Sequence, residues 1–279
     1  MNITDHTSLP HAPALKETAA PAPPARPGLR QTVRHSLVLT RRNLAALVRK
    51  PETIVLSVIQ PIMILALFNY VLGGAINPGG DYIDFIVPGM MVWFVAFATV
   101  GTALGLNADL TKGFIDRFRS LPIARSAVLT GRILSDTVVM TFSVVLLTGV
   151  GMLMGFRISG SLGAAVGAFL LVIAFGIALL WVGAWIGLSL GSPEAVQSGG
   201  MIWLFPLTFA SSAFVPAATM PGWLQTVVNV NPVTLTIDAL RALLSGEPAT
   251  ALVLRSLAWT AAITLVFFTL AVRRYRRMQ

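Results

Sequence analysis

Long apolar runs separated by short polar breaks set the pattern of this chain. Ile54–Gly74 carries no charge and is close to the ~20 residues an α-helix needs to cross a bilayer. Pro61 lies inside it, which a membrane helix tolerates. Phe85–Ala108, Ile133–Phe156 and Leu252–Val272 predict further spans of similar length. Asp136 then falls in the first turn of the third span, where an acid complements the helix N-terminus. Ile158–Ser192 is uncharged for 35 residues. As one helix it would reach about 52 Å, too long for one span and too short for two. The fourth span is therefore placed at 163–190. Gly183, Gly187 and Gly191 recur there every four residues, a spacing that lets another helix approach closely.

Ala195–Ile237 is uncharged for 43 residues, enough for two spans by length alone. Two spans would carry the basic tail Arg273, Arg274, Arg276 and Arg277 to the outside, against the positive-inside tendency. Pro216, Pro221, Gly222 and Pro232 also break the second half. The reading is a fifth span at 195–215, an external re-entrant or interfacial helical pair to Leu244, and a sixth span at 252–272. Pro221, Trp223, Pro232, Asp238 and Arg241 mark the external element. Asp238 and Arg241, three apart on one helix, either pair or stand as two solvated charges.

The polar breaks carry the orientation. Lys112, Arg117, Arg119, Arg125 and Arg132 fill the break between the second and third spans. Arg34, Arg41, Arg42, Arg49 and Lys50 precede the first span, and the four tail arginines follow the last. The opposite side has only Arg157, Arg241 and Arg255, so both termini are expected in the cytoplasm. Residues 1–28, rich in Pro and Ala and without an apolar h-region, read as a disordered tail rather than a signal peptide. In 29–53, Val33, Leu37, Leu44, Leu47 and Val48 recur at roughly helical spacing among basic residues, which fits an interfacial amphipathic helix. Residues 273–279 form a basic cytoplasmic tail. Within the central break, Phe114, Phe118 and Leu121 share one helical face, Asp116, Arg117 and Arg119 point elsewhere, and Pro122 ends the helix. On the residues alone, this short helix either rests on lipid headgroups, the simpler reading, or plugs into a cytoplasmic partner.

Composition narrows the classes. Hydrophobic residues make up 55% of the 279 and charged residues 11%, against about 25% in a soluble domain. The expected fold class is an all-α polytopic membrane protein with six transmembrane helices, the N-terminal interfacial helix, a cytoplasmic coupling helix and the external re-entrant pair. The net charge of +9 sits in tails and one loop, an orientation signal rather than a nucleic-acid footprint. There is no cysteine, and all three histidines precede the first span, so neither thiol chemistry nor a metal cluster is expected. No Gly is followed by Lys, which excludes a P-loop. The spans hold almost none of the buried ionisable groups that an intramembrane hydrolase, ion path or sugar path would need. What remains is a permease driven by a separate ATPase, or a membrane scaffold with no transport path.

Two blocks carry a resemblance. DRFRSLPIARSAVLTGR (Asp116–Arg132) is similar to the cytoplasmic loop of ABC-2 type transporter permeases, in particular the daunorubicin/doxorubicin-resistance branch. FVPAATMPGWLQTVVNVNPVTLTIDALRAL (Phe214–Leu243) resembles the same branch near the C-terminus. The similarity covers about Leu29 to the C-terminus. Many such permeases have an acidic cluster before the loop; here Asp109 stands alone, followed by Lys112, which points away from the polysaccharide exporters. The resemblance implies an ABC-2 domain over 54–272 in the cell membrane. It implies a permease subunit, not an enzyme, for export of amphiphilic drugs, with a lipid, glycolipid or polysaccharide precursor as the alternative cargo. It also implies a separate ABC ATP-binding subunit that uses ATP and Mg, so that this chain binds no cofactor. A homodimer or heterodimer with a second permease completes the transporter. Phe114, Asp116, Arg117, Phe118, Arg119, Leu121 and Pro122 then form the ATPase-coupling element. In similar transporters the second and fifth spans face the dimer cavity, which makes Trp93, Phe94, Phe97, Trp203, Phe205 and Phe209 the candidate substrate path. Their faces suit a flat aromatic drug or a cation; the same residues also fit ordinary core or lipid contact.

Overall fold

A computed structural model describes residues 51–74, 81–111 and 125–277, and every regular element among them is helical. α1 (Pro51–Leu67) runs into a π-helical turn at Phe68–Leu72, and α2 spans Tyr82–Thr111. α3 is Arg125–Leu153, α4 Leu162–Ser189 and α5 Pro193–Phe209. A 3₁₀ turn at Ala217–Thr219 leads to α6 (Gly222–Val230), α7 (Pro232–Ser245) and α8 (Thr250–Arg277). Four segments, Tyr82–Thr111, Leu129–Leu153, Leu162–Ser189 and Thr250–Tyr275, are long and apolar enough to cross a bilayer. At 1.5 Å per residue they reach about 38–45 Å. This is a multi-pass membrane protein. α1 and α5 are shorter: the apolar stretch of α1 and its π-helical turn is Ile59–Val71, and α5 has 17 residues.

α2 and α4 form the centre. Thr99 and Ala103 lie one turn apart on α2, and their carbonyl oxygens sit where Gly183 and Gly187 of α4 would carry a Cβ. Glycine is needed there because any side chain would meet backbone, which cannot move aside cheaply. Gly191, the third residue of the stripe, has open space around its Cβ position. α8 packs on α4 through Trp181–Phe268 and Trp185–Phe267, edge to face at 4.8 and 5.6 Å. The rest of α8 is largely bare, buried mainly along Ser256, Thr260, Ala271 and Tyr275.

α6 and α7 meet at 76°. The chain before them is held by the Tyr82 hydroxyl, which donates to the Phe214 carbonyl at 3.1 Å. The end of α7 is held by Ser159 and Gly160, whose N–H groups both donate to the Leu244 carbonyl at 2.9 Å. Tyr82 starts α2, and Ser159 and Gly160 precede α4. The bent pair therefore leaves from and returns to one end of the bundle. The other end gathers Asn107, Arg132, Leu190 and Arg274, whose Nε donates to Leu188 O at 3.3 Å.

Two boundaries differ most from the sequence reading, while α8 also continues to Arg277 through most of the expected tail. The fifth helix, expected to reach Val215, stops at Phe209. Ser211 donates to the Thr208 carbonyl and the Ser212 N–H donates to Thr234 Oγ1, so side-chain bonds, one of them to α7, replace the helical ladder. The third helix begins at Arg125 rather than Ile133. Asp136 is thus three turns inside the helix, not in its first turn, and its partners are Arg132 and Thr102 rather than a helix terminus.

Candidate functional site

An uncharged aromatic set joins α2, α5 and the segment after α5. Trp93 and Phe97, one turn apart on α2, lie 4.2 Å between centroids. Phe97 meets Phe205 edge to face at 5.8 Å, and Phe205 stacks on Phe209 at 5.4 Å. Phe209 reaches Phe214 at 5.6 Å, and Phe214 returns to Trp93 at 6.4 Å, closing a ring of contacts. Phe68 of the π-helical turn stacks on Phe214 at 4.7 Å. Phe205 and Phe209 are 46% and 53% exposed, so this side of the set is open. Of the sequence candidates, Trp93, Phe97, Phe205 and Phe209 come together; Phe94 and Trp203 pack against the core outside the ring. Trp93 Nε1 and Trp203 Nε1 are buried without a hydrogen-bond partner. Phe214 and Phe68 are the residues that sequence reasoning left out, because they lie in the external block and the first span, outside the two helices it considered.

Above the ring sits Arg241. Its guanidinium donates to the Phe85 carbonyl at 3.1 Å from Nε and 3.0 Å from Nη2. It also donates to Ser212 O at 2.8 Å, to Ser212 Oγ at 3.3 Å and to Asp238 Oδ1 at 3.2 Å. Its carbon lies 3.5 Å from the centre of the Phe85 ring. Ser212 Oγ also donates to Asp238 at 2.8 Å. The Asp238–Arg241 pair is therefore present, as part of a clamp that ties α7 to the start of α2. Asn231 is a second clamp: Nδ2 donates to Leu207 O and Ala210 O at 2.7 Å, and Oδ1 accepts from Val233 N at 2.8 Å. The Asn-Pro pair signals it, since Asn caps α7 and Pro232 occupies the first turn. Pro221 caps α6, and Trp223 on that helix is 73% exposed.

At the opposite end a charged cluster joins α2 to α3. Thr102 donates to Asp136 Oδ2 at 2.6 Å, and Arg132 Nε donates to the same oxygen at 3.0 Å. Arg132 Nη1 is 3.5 Å from Asp109 Oδ2. The candidate coupling residues Phe114, Asp116, Arg117, Phe118, Arg119, Leu121 and Pro122, and the interfacial segment 29–50, lie outside the described residues. Among the described residues no cluster of His, Asp or Glu is able to hold a metal.

α2 and α5 thus share an uncharged aromatic face, with an arginine cluster toward each end of α2. The sequence matches the ABC-2 type transporter family over residues 34–244. The chain belongs to that family. Its relatives include the daunorubicin resistance ABC transporter permease protein DrrB1 of Streptomyces coeruleorubidus, 37% identical over 90% of this chain and 89% of that protein. The probable doxorubicin resistance ABC transporter permease protein DrrC of Mycobacterium tuberculosis is 26% identical over 92% of this chain and 95% of its own length. The putative transport permease ycf38 of Cyanophora paradoxa is 29% identical over 76% of this chain and 75% of its own. The family match begins at Arg34 and ends at Leu244, so it includes the aromatic set, both arginine clusters and the loop.

Proposed function

We propose that this ABC-2 chain is the permease subunit of an ATP-driven exporter of amphiphilic aromatic compounds. The observation that carries the reading is the closed set Trp93, Phe97, Phe205, Phe209 and Phe214, uncharged and half open on one side. Such faces take a flat ring system or a cation over it. The unpartnered indole N–H of Trp93, which belongs to the ring, would donate to a carbonyl oxygen of the cargo as the set opens. The drug-resistance names of two relatives point the same way.

In this reading α1 and α5 complete six spans, and the bent α6–α7 pair is an external re-entrant element. Both termini and the loop 112–124 are cytoplasmic. The basic residues support that side, because Arg132 and Arg274 lie at one end and Arg241 at the other. A second copy or a related permease pairs with this chain, and two ABC subunits below it bind ATP and Mg. The loop residues Phe114, Phe118 and Leu121 form the plug that docks into the ATPase, with Arg117 and Arg119 beside it. ATP then biases the pair between inward-open and outward-open states. A lipid cargo would use the same open aromatic side, and cargo competition decides between the two.

The test is efflux of doxorubicin from cells that express the chain with its ATPase subunit. Phe97→Ala combined with Phe209→Ala should abolish efflux at matched membrane levels while the ATPase subunit still co-purifies. Phe118→Ala should weaken ATPase binding by about 2 kcal/mol, within the range of buried aromatic hot spots. Full efflux in the aromatic double variant rejects the path; full ATPase binding with Phe118→Ala rejects the plug. A phospholipid that competes with doxorubicin for transport would favour lipid as the cargo.

A further inference from the structure

α2 is joined to its two neighbours by different physics. Thr99, Ala103 and Asn107, each four residues apart, make the face toward α4. There the contact is backbone on backbone at Gly183 and Gly187. Asn107 Nδ2 adds bonds to Gly187 O at 3.3 Å and Leu190 O at 2.7 Å. A close-packed contact of this kind has little slack, so α2 and α4 move as one body.

Thr102, Gly105 and Asp109 make the face toward α3, and there the contact is through side chains. The Arg132 guanidinium lies on Gly105, filling the place a Cβ would take. From that seat it reaches Asp136 on its own helix at 3.0 Å and Asp109 on α2 at 3.5 Å. Thr102 ties Asp136 back to α2 at 2.6 Å. The two arms are unequal. Asp109 is 46% exposed against 22% for Asp136, so the Asp109 arm is wetter, longer and weaker. Helices held by long side chains and water-accessible ion pairs are able to shift; helices held by apposed backbone are not.

We infer that Arg132 is a positioning residue of the transport cycle, the joint that makes α3 and the α2–α4 block respond together. The inference rests on the reading that the loop 112–124 receives the ATPase. That loop links the end of α2 to the start of α3, so a push on it acts on both helices. With the joint intact, the push reaches Trp93 and Phe97, which sit on α2. Without it, α3 slides along α2 and the aromatic path keeps its shape.

The experiment uses the full chain reconstituted in vesicles with its ATPase subunit, and doxorubicin as the probe. Arg132→Gln and Asp136→Asn should bind the ATPase and hydrolyse ATP as wild type does. Each should move about tenfold less doxorubicin per ATP, the change expected from one charge-assisted hydrogen bond. Arg132→Lys keeps the charge without the planar fork and should recover part of the loss. A second readout places spin labels at Gly101 on α2 and Val138 on α3, both exposed positions in a chain without native cysteine. ATP should leave their separation unchanged in wild type and alter it in Arg132→Gln. Wild-type transport per ATP in Arg132→Gln overturns the joint. Loss of ATPase binding in Arg132→Gln overturns it too, because the residue would then act at the docking surface. If Phe118→Ala keeps ATPase binding, the docking reading falls, and the label separation alone decides the joint.

Discussion

Arg241 and Arg132 sit at opposite ends of α2, each with an aspartate one turn away on its own helix. Arg241 directs its donors to the carbonyls of Phe85 and Ser212 as well as to Asp238, and lays its charge on the Phe85 ring. Most of its partners are neutral and belong to rigid backbone. Among the described residues the polar partners of Arg132 are carboxylates, one of them half exposed. An arginine paired with an aspartate one turn away thus makes a bolt at one end and a joint at the other. The difference lies in the acceptors: a carbonyl inside a packed turn cannot follow the arginine, whereas an exposed carboxylate can leave it.

The largest expected effect tests the bolt. Arg241→Ala should lower stability by about 2–4 kcal/mol, because it removes a partly buried arginine whose N–H groups are all bonded, three of the bonds to backbone carbonyls. Asp238→Ala should lose less, about 1–3 kcal/mol, since the carbonyls still hold the arginine. The double variant should be no more stable than Arg241→Ala. Thermal unfolding in detergent measures all three, and equal losses for the two single variants would erase the asymmetry. Pairing alone would have made the double variant the better one; the Phe85 and Ser212 carbonyls change that expectation.

Next come two glycine substitutions on the two faces of the α2 contact. Gly187→Ala meets the Ala103 backbone and should destabilise by about 1–3 kcal/mol. Gly105→Ala meets only the tip of Arg132. The gain of about 0.5–1 kcal/mol from Ala in a helix should offset that displacement, leaving melting unchanged while doxorubicin moved per ATP falls. A Gly105→Ala protein that melts early would mean that the α3 face is as rigid as the α4 face.

Asn231→Ala should follow, at about 1–2 kcal/mol for a lost helix cap, read in the same melt. Its size relative to Arg241→Ala tells which clamp dominates the outer end. Smallest is Arg117→Ala, expected to weaken ATPase binding by less than about 1 kcal/mol, as for a charge in water. A pull-down showing a loss equal to that of Phe118→Ala would make the docking electrostatic.

The sequence alone determined that this chain lies in a membrane as helices, because desolvating a backbone in lipid leaves few alternatives once charge is this sparse. It also marked the breaks: Pro216, Pro221, Gly222 and Pro232 are local chemistry and need no partner to be read. Asp238 and Arg241 were legible as neighbours because helical spacing brings them together. Tertiary structure decided the rest. That Phe214 and Phe68 close the aromatic set depends on a chain reversal after Phe209 that hydropathy cannot register. That Asp136 answers Arg132 and Thr102 rather than a helix end depends on where α3 begins, and charge alone placed that start eight residues late. Apolar burial is roughly additive along a chain and shows in sequence. One acceptor of the half-buried Arg241 lies 156 residues away, and such a choice becomes visible only when helices are laid side by side.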